Sequence, residues 1–483
     1  MDRKLAAALR VTRRLRDEGY EACLAGGCVR DLLLGRTPVD YDVATSAVPE
    51  VVLGLFPRTF AVGARFGVVL VADTCAAAAQ PVVTEVATFR SDGVYSDGRH
   101  PEGVRYTQSA AEDAQRRDFT INGLLLDPEL VFREASGPAR AATIAAQEDR
   151  AEAGALLSSR AGLHAAVTDH VGGLADLEAG VVRAIGRPEA RFEEDHLRML
   201  RAVRFAARFG FSLDPATEAA IRTLAPGIHA VSRERVRDEL TRMLTEGRAR
   251  RAFELLLQTG LLAEVLPEAV KMVSVEQPPQ YHPEGDVWTH VLLVLDQLEA
   301  GCSMALGWGA LLHDIGKPAT FRRTADRIRF DGHVEVGAAI AAGVCRRFRF
   351  SNEETRQVLA LVENHMRFMD AHRMKDATLK RFFRLERFEE HLALHRMDCL
   401  ASKGDLENWR YTRERWQTMP AGQVRPTPLV TGRELIAAGY RPGAQFRAML
   451  QAVEDAQLEG TIGTAAEALA LVRERFGKPE AAG

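Results

Sequence analysis

The chain has 483 residues, is 46% hydrophobic and 27% charged, and carries a formal net charge of −3 at pH 7. This length is too great for a single hydrophobic core, so about two to four structural units of ordinary globular composition are expected. The charge excludes a protein coated in positive charge, although a local basic stripe would still suffice for RNA binding.

The six cysteines are scattered and include no Cys-x-x-Cys pair. This distribution indicates free thiols in a reducing compartment, with neither a disulfide framework nor a zinc knuckle. Met1 to Tyr20 is basic and helix-patterned but lacks the apolar core of a signal peptide. No segment approaches the roughly 20 consecutive apolar residues of a membrane-spanning helix. The sequence therefore predicts a cytoplasmic protein that does not contact a membrane.

After a first helix, an apolar strand-like run leads to the glycine pair Gly26 and Gly27, followed by a helix-like run. A backbone without Cβ can approach a phosphate closely, and the N–H groups of a helix N-terminus favour an anion. Arg30, one turn further, can add a forked cation. The pattern predicts a phosphate-binding turn, although a glycine pair before a helix is more often a plain turn.

Asp40 and Asp42 follow and are separated by one residue. On a strand, both carboxylates would project from one face. Two carboxylates beside a polyphosphate-binding turn form the kind of Mg²⁺ site that is used in nucleotidyl transfer. An isolated Asp-x-Asp is usually a solvated face or a cap, so the prediction depends on the neighbouring turn.

The string Gly-Gly-x-Val-Arg-Asp-x-Leu-Leu-Gly (Gly26 to Gly35), followed by Asp-x-Asp-x-x-Thr (Asp40 to Thr45), resembles the tRNA nucleotidyltransferase and bacterial poly(A) polymerase family. The resemblance implies an α+β N-terminal polymerase-β-like nucleotidyltransferase palm over residues 1–186. The remaining chain would form all-α neck, HD and C-terminal regions. Asp40 and Asp42 would be the catalytic residues and the Mg²⁺ ligands.

Two stretches rich in Val, Phe and Thr, residues 59–72 and 81–90, predict strands. Glu85 on the second is either a third carboxylate beside the metal or an edge-strand carboxylate. The second interpretation is favoured because the family's metal pair is the Asp-x-Asp alone. The following loop, Tyr95 to Val104, is similar to a mobile loop that helps the family's active site to switch between nucleotides.

Arg116-Arg117-Asp118-Phe-Thr-Ile-Asn resembles the family's second motif. The resemblance implies that Gly27, Arg30 and Arg117 hold the nucleotide triphosphate. Asp118 is expected to brace this loop by accepting backbone N–H bonds. Residues 132–167, rich in Ala, Arg and Glu, separate two points that lie closer together in relatives. They predict a partly helical or disordered insertion that is either solvated, the favoured interpretation, or in contact with tRNA.

Glu189 to Arg251 is predicted to be helical throughout, with Asp195, Arg198 and Arg201 three residues apart on one face. In the family this helix takes the place of a nucleic-acid template. Asp195 would accept from the exocyclic amino group of cytosine or adenine, and Arg198 would donate to the ring nitrogen. Uracil and guanine present the reverse pattern, and such a mismatch can be rejected by roughly 10⁴-fold or more.

Arg201 and Arg204 would then lie over the sugar or the phosphates. Further basic residues continue along the predicted neck (187–270). They form either an exposed basic face or a path for the tRNA acceptor stem, whose backbone would supply most of the binding energy. These residues are Arg233, Arg235, Arg237, Arg242, Arg248, Arg250 and Arg251.

A predicted linker, Gln277 to Pro283, opens a region (277–402) whose histidines and aspartates resemble the HD phosphohydrolase family. The resemblance implies one or two transition-metal ions that activate a water for attack on phosphorus. A metal-competent domain is favoured over an RNA-binding scaffold. The ligand set is His290, His313, Asp314, His333, His365 and Asp398. Partners that orient these ligands would be Asp331, Glu335 and Asn364.

Residues 403–483 are predicted to form a C-terminal helical region and a tail. The resemblance implies an enzyme that adds CCA to tRNA 3′ ends from CTP and ATP. The alternatives are a poly(A) polymerase, which usually carries a strongly basic C-terminus that this chain lacks, and a CC-only or A-only enzyme. An alternative of another class is an HD phosphohydrolase whose palm only binds RNA; the intact Asp-x-Asp argues against it.

Overall fold

The computed structural model describes residues 2–61, 67–73, 81–92, 104–133, 160–325 and 327–478. Their contacts separate two compact units, Met1–Met243 with Arg251–Val265, and Leu244–Arg250 with Leu266–Gly483. The finer division into four regions stays a prediction. The predicted switching loop, apart from Val104, and most of the predicted insertion lie outside the described residues.

The strands are short and are numbered along the chain. They are β1 (Ala22–Ala25), β2 (Asp42–Thr45), β3 (Thr59–Phe60), β4 (Val68–Asp73), β5 (Val82–Thr88), β6 (Arg90–Asp92), β7 (Val104–Tyr106), β8 (Leu125–Leu126), β9 (Val167–Thr168), β10 (Val181–Val182), β11 (Ser212–Leu213), β12 (Arg322–Arg323) and β13 (Ile328–Arg329).

The α-helices of the described residues up to position 265 surround these strands or follow them. They are α1 (Arg3–Asp17), α2 (Gly27–Leu33), α3 (Pro49–Leu55), α4 (Ala110–Gln115), α5 (Pro128–Arg133), α6 (Arg160–Ala165), α7 (Gly173–Ala179), α8 (Pro188–Glu194), α9 (Leu197–Phe209), α10 (Pro215–Leu224), α11 (Arg233–Thr245), α12 (Ala249–Gln258) and α13 (Leu261–Val265).

The remaining described α-helices belong to the second unit. They are α14 (Pro267–Val270), α15 (Val287–Asp296), α16 (Met304–Leu312), α17 (Lys317–Thr320), α18 (His333–Arg347), α19 (Asn352–Asn364), α20 (Asp376–Phe382), α21 (Phe388–Ala401), α22 (Glu407–Thr418), α23 (Ala421–Val424), α24 (Gly432–Ala437), α25 (Ala444–Glu459) and α26 (Ala465–Phe476). Short 3₁₀ helices cover Thr120–Asn122, Ala225–Ala230 and His365–Arg373.

The core of the first unit is a seven-stranded mixed sheet of order β3-β4-β5-β2-β1-β8-β9. Its central strand pair, β2 and β5, is parallel, and the pairs on either side are antiparallel. Helix α1 contacts β1, β2 and β5 and buries Leu5, Ala8, Val11 and Leu15, which recur at helical spacing on one face. The predicted α+β class of the N-terminal region is confirmed.

Two details of this sheet correct the sequence analysis. Strand β2 begins at Asp42, so Asp40 precedes the strand and does not share a strand face with Asp42. Glu85 lies in β5, which is flanked by β4 and β2, so it is not an edge-strand residue. The sequence pattern shows which residues alternate along a strand, but the order of strands in a sheet depends on pairings between distant segments.

The segment from Glu189 to Arg251 was predicted to be helical throughout, and this prediction is wrong. Helix α8 ends at Glu194 and α9 begins at Leu197, with Asp195 between them in extended backbone (φ −152°, ψ 102°). The carboxylate of Asp195 accepts the N–H of Leu197 at 3.1 Å, so the aspartate satisfies the first N–H of α9, whose N-cap residue is His196. Gly210, in the left-handed conformation at φ 73°, ends α9.

A buried ion pair joins α9 to α11 within the first unit. Arg204 Nε lies 2.6 Å from Glu239 Oε2, and both side chains are 5% exposed. We expect Glu239→Ala to lower the free energy of unfolding by about 3 to 5 kcal/mol, because it removes a carboxylate that is paired with a buried guanidinium. Urea unfolding checks this. Glu18→Ala, which breaks the exposed Arg14–Glu18 pair, should change the stability by less than about 1 kcal/mol; equal losses would contradict the prediction.

The second unit is helical among its described residues apart from the hairpin β12–β13, which confirms the predicted helical class of the HD and C-terminal regions. Large aromatic residues fill its interior, including Trp308, Phe348 and Phe382, each fully buried. Its last helices form a small core of their own around Leu435, Met449 and Val472. None of the described helices has the length and apolar run needed to cross a bilayer.

Candidate functional site

A group of carboxylates lies in the first unit where β2 begins beside β5. Parallel pairing of Val43 with Val86 brings Asp42 and Glu85 to neighbouring positions on β2 and β5. Burial, and then the charge of Glu85, raise the pKa of Asp42 to about 6. Burial and the charge of Asp40 raise the pKa of Glu85. Negative charge therefore accumulates where the sequence predicts a metal, and a divalent cation would relieve it.

Asp40 lies at the exposed end of this group. Its side chain is 70% exposed, and its Oδ1 accepts a hydrogen bond from Lys4 Nζ at 2.8 Å. The ammonium of Lys4 also donates to the carbonyl of Val39 at 2.6 Å. A surface pair of this kind contributes little to stability, so it leaves Asp40 available to a cation.

The glycine turn lies directly beside Asp42, because Ala25 at the end of β1 pairs with it. Gly26 has φ 73°, and a Cβ there would lie 2.8 Å from Arg117 Nη1. The turn thus demands glycine at position 26, while Gly27 begins α2. Arg117 is held by Asp113 at 3.0 Å. The sequence analysis missed Asp113, which lies in α4 four residues before Arg117, just beyond the end of that helix.

Arg30 differs from Arg117 because its guanidinium points into the protein. The residue is 4% exposed. Its Nη2 lies 2.7 Å from Asp31 Oδ1, its Nη1 lies 2.5 Å from Asn122 Oδ1, and its guanidinium carbon lies 4.5 Å from the ring centroid of Phe209. Its predicted contact with a triphosphate stays a prediction that these contacts do not support.

Asp118 braces the loop between α4 and β8, as expected. Its Oδ1 accepts the N–H of Phe119 and the side-chain amide of Asn122, both at 2.9 Å. Arg201 donates to its Oδ2 at 2.6 and 2.8 Å. Although burial raises the pKa of Asp118, Arg201 and Asn122 lower it to about 2. Arg201 is therefore bound to this loop, and Arg204 to Glu239.

Asp195 and Arg198 do not pair with each other on one helix face. The carboxylate of Asp195 lies 2.8 Å from Arg235 Nη2. Arg198 Nη1 lies 2.5 Å from Glu194 Oε2 and donates to the Arg191 carbonyl at 3.0 Å. Both predicted base-reading groups therefore have ion-pair partners within the first unit. Arg235, predicted as part of a basic face, serves as one of these partners.

In the second unit, the six predicted HD residues converge. Asp314 is the centre: its carboxylate oxygens lie 3.3 Å from His313 Nε2, 3.8 Å from His290 Nε2, 3.8 Å from His333 Nε2 and 3.7 Å from His365 Nε2. The sixth, Asp398, lies 3.0 Å from His290 Nε2. Imidazole and carboxylate ligands on separate helices form a donor set that suits a transition metal.

The histidines are oriented as metal ligands. Their Nδ1 atoms meet the carbonyls of Ala310, Phe330 and Val362, or the carboxylate of Glu284, at 2.7 to 2.9 Å. The buried Nε2 atoms of His313, His333 and His365 have no hydrogen-bond partner among the described residues, whereas that of His290 lies 3.0 Å from Asp398 Oδ1. Although burial lowers it, hydrogen bonds to Asp398 and Glu284 raise the pKa of His290 to about 9. A neutral imidazole with its proton on Nδ1 keeps a lone pair on Nε2, which is the tautomer that binds a metal. Burial lowers the pKa of His365 to about 4, so this imidazole stays neutral.

A cavity of about 670 Å³ opens above these ligands and includes four cationic side chains in its lining, Lys317, Arg327, Arg329 and Lys403. Lys317 Nζ lies 2.7 Å from Asp314 Oδ2. Burial raises the pKa of Asp314, but Lys317 and His313 hold this pKa well below its usual range. A metal centre at the base of a cationic cavity suits a phosphate ester.

Glycine is required where the HD turn meets α18. A Cβ on Gly316 would overlap the carbonyl oxygen of His333 and would lie 2.6 Å from the backbone nitrogen of Gly337. This close approach holds the turn that carries His313 and Asp314 against the helix that carries His333.

The residues predicted to orient the HD ligands are not those that do so. Asn364 donates to the Ala360 carbonyl and accepts from Arg367. Asp331 and Glu335 make no hydrogen bond or ion pair to a described residue. The main-chain carbonyl three residues before each of three histidines serves instead, because each ring folds back onto the backbone that precedes it. Glu284, and the neighbouring His282, were missed because their Pro-rich surroundings were interpreted as a linker.

Three known protein families match parts of this chain. The Poly A polymerase head domain family matches residues 22–134, the probable RNA and SrmB-binding site of polymerase A matches residues 210–272, and the HD domain family matches residues 287–402. The CCA-adding enzyme of Geobacillus thermodenitrificans is 39% identical over 254 residues, which are 53% of this chain and 53% of the relative. For such relatives, the match spans only about half of their length.

Two further relatives align along nearly the whole chain. The CCA-adding enzyme of Levilactobacillus brevis is 30% identical over 445 residues, covering 92% of this chain and 91% of the relative. The crystal structure of Bacillus stearothermophilus CCA-adding enzyme in complex with CTP covers 98% of both chains, with a TM-score of 0.69 and 25% identity.

Proposed function

This chain belongs to the family of CCA-adding enzymes, as its glycine and aspartate motifs predicted, and we propose that it adds CCA to tRNA 3′ ends from CTP and ATP. The observation that carries the proposal is the position of Asp42. It lies between Glu85 on the adjoining strand and the glycine turn at Gly26, beside which Arg117 is held. Carboxylates next to a glycine turn with a guanidinium suit a metal-bound triphosphate.

In this proposal Asp40 and Asp42 hold Mg²⁺, and Glu85 adds a third carboxylate beside them. A magnesium ion there would lower the pKa of the primer 3′-hydroxyl and neutralise the leaving pyrophosphate. Arg117, which Asp113 holds beside Gly26, would bind the triphosphate, and the backbone at Gly27 would approach it. The raised pKa of Asp42 supports the proposal, because it marks a site whose charge requires a cation.

Base choice is assigned to Asp195 and Arg198. Their hydrogen-bonding groups match the pairing edges of cytosine and adenine, and the ion pairs with Arg235 and Glu194 hold them in position. The arginines of the neck would bind the tRNA backbone. The described cysteines are all free, which suits the reducing cytoplasm in which we place the enzyme.

Product length tests the proposal. A tRNA that lacks its 3′ trinucleotide is incubated with CTP alone, with ATP alone, and with both, and the products are resolved on a sequencing gel. We expect two residues to be added with CTP alone and three with both nucleotides. A long ladder with ATP would instead identify a poly(A) polymerase, and products that stop after CC or need a CC end would identify a partial enzyme.

A second activity is proposed for the HD region, a metal-dependent phosphohydrolase. Four buried histidine Nε2 atoms that face two carboxylates support this, together with the cationic cavity above them. The six HD residues, His290, His313, Asp314, His333, His365 and Asp398, would hold a transition-metal ion, which would activate a water for attack on phosphorus. The lysines and arginines of the cavity would bind the phosphate ester.

We expect His313→Ala to lower the metal-dependent hydrolysis of bis(p-nitrophenyl) phosphate by about 100-fold or more, because one ligand is lost. CCA addition should be unchanged. His372→Ala, an exposed histidine of the same unit outside the cluster, is the control. Hydrolysis by His313→Ala at the wild-type rate would instead favour the RNA-binding scaffold.

A further inference from the structure

Glu284 lies behind His290, on the side away from the other HD residues. A single carboxylate oxygen, Oε1, lies 2.7 Å from His290 Nδ1 and 2.8 Å from His282 Nδ1. The two imidazole rings meet edge to face, with centroids 5.0 Å apart. Two ring nitrogens can share one carboxylate oxygen only if both donate, so both histidines carry their proton on Nδ1.

The consequence for His290 follows from its burial. The residue is 0% exposed, so no water can satisfy whichever nitrogen faces inward. With Nδ1–H bound to Glu284, Nε2 is the nitrogen that faces Asp314 and Asp398, and it would give its lone pair to the metal that is proposed there. The other three cluster histidines have main-chain carbonyls in this role. His290 alone among the four uses a charged partner, which also makes the ring a more basic ligand.

Glu284 is itself held on one side only. Its Oε2 is buried and has no hydrogen-bond partner among the described residues, so His282 is its second anchor besides His290. His282 also lines the cavity.

We infer that Glu284 and His282 are positioning residues of the HD metal centre: Glu284 fixes His290 in its metal-binding tautomer, and His282 fixes Glu284. This rests on the proposed metal-dependent function. Neither residue touches the metal position in this assignment.

The test is a Co²⁺ titration of the full-length protein followed by visible absorption, with His313→Ala as the background for other Co²⁺ sites. We expect Glu284→Ala to raise the Kd for Co²⁺ by about 10- to 100-fold. Glu284→Gln, which keeps the side-chain volume and an acceptor oxygen but loses the charge, should raise it less. His282→Ala should also weaken binding, and His282→Asn should restore it, because its amide N–H replaces the Nδ1–H donor.

Glu335→Ala is the matched control, a carboxylate in the first turn of α18 that makes no hydrogen bond or ion pair to a described residue. It should leave the Kd for Co²⁺ unchanged, and circular dichroism of each metal-free variant checks that it is folded. Wild-type Kd values in both Glu284 variants overturn the inference alone. Absence of His313-dependent bands in the wild-type protein overturns the metal centre and the inference with it.

Discussion

Asp42→Asn is expected to reduce nucleotide addition by about 1,000-fold or more while leaving tRNA binding intact. The carboxylate begins β2 next to Glu85 and the glycine turn, where the metal-bound triphosphate is proposed. A lost metal ligand removes several kcal/mol of charge stabilisation in the transition state, and each 1.4 kcal/mol is a factor of ten in rate. Single-turnover extension of a labelled tRNA measures the rate, and filter binding measures the affinity.

Asp17→Asn is the control for this variant, since it neutralises an exposed carboxylate of the same unit. It should extend tRNA at the wild-type rate. Turnover by Asp42→Asn within tenfold of the wild-type rate would remove the metal assignment. Equal losses of tRNA binding and of turnover would mean that the substitution disturbs the fold.

Asp195→Ala is expected to abolish the preference for CTP and ATP over UTP, a preference that a matched hydrogen-bonding pattern can raise to roughly 10⁴-fold. The ratio of kcat/KM values for CTP and UTP measures it. The carboxylate accepts from Arg235 and from the Leu197 N–H, and a cytosine amino group would compete for the same oxygens. The variant therefore loses the acceptor that distinguishes an amino group from a carbonyl.

Glu193→Ala is the matched control, because Glu193 is an exposed carboxylate two residues before Asp195. This variant should retain the full preference for CTP and ATP over UTP. Arg235→Ala separates two roles of Asp195. It removes the ion pair but keeps the acceptor, so it should lower the addition rate for CTP and ATP without admitting UTP. Unchanged rejection of UTP by Asp195→Ala would contradict the assignment of base choice to this side chain.

The sequence predicted local chemistry better than partners. The glycine turn, the brace at Asp118 and the convergence of the HD residues followed from short motifs whose spacing has a physical reason. The place of Glu85 on an inner strand of the sheet, and the pairing of Asp195 with Arg235, 40 residues away, did not follow from any such motif. Strand order and long-range ion pairs depend on which distant segments meet, and periodicity within one segment does not contain that information.

The same reason explains why the sequence did not reveal the role of His282 and Glu284. Their local text, between prolines and a glycine, is typical of a linker, and its turn-forming composition was interpreted correctly. Their role arises only because α15 brings His290 back over that segment, so that one carboxylate meets two rings.

Gly316 determines how the second site tolerates sequence change. Its main chain lies against that of His333 and Gly337, so atoms common to every residue type fix the interval between the Asp314 turn and α18. Because only main-chain atoms make this contact, the distance between the two segments does not depend on the side chain of His333. Any larger residue at position 316 would push the two segments apart, so in a randomised library every substitution at this position should disrupt the geometry of the metal ligands.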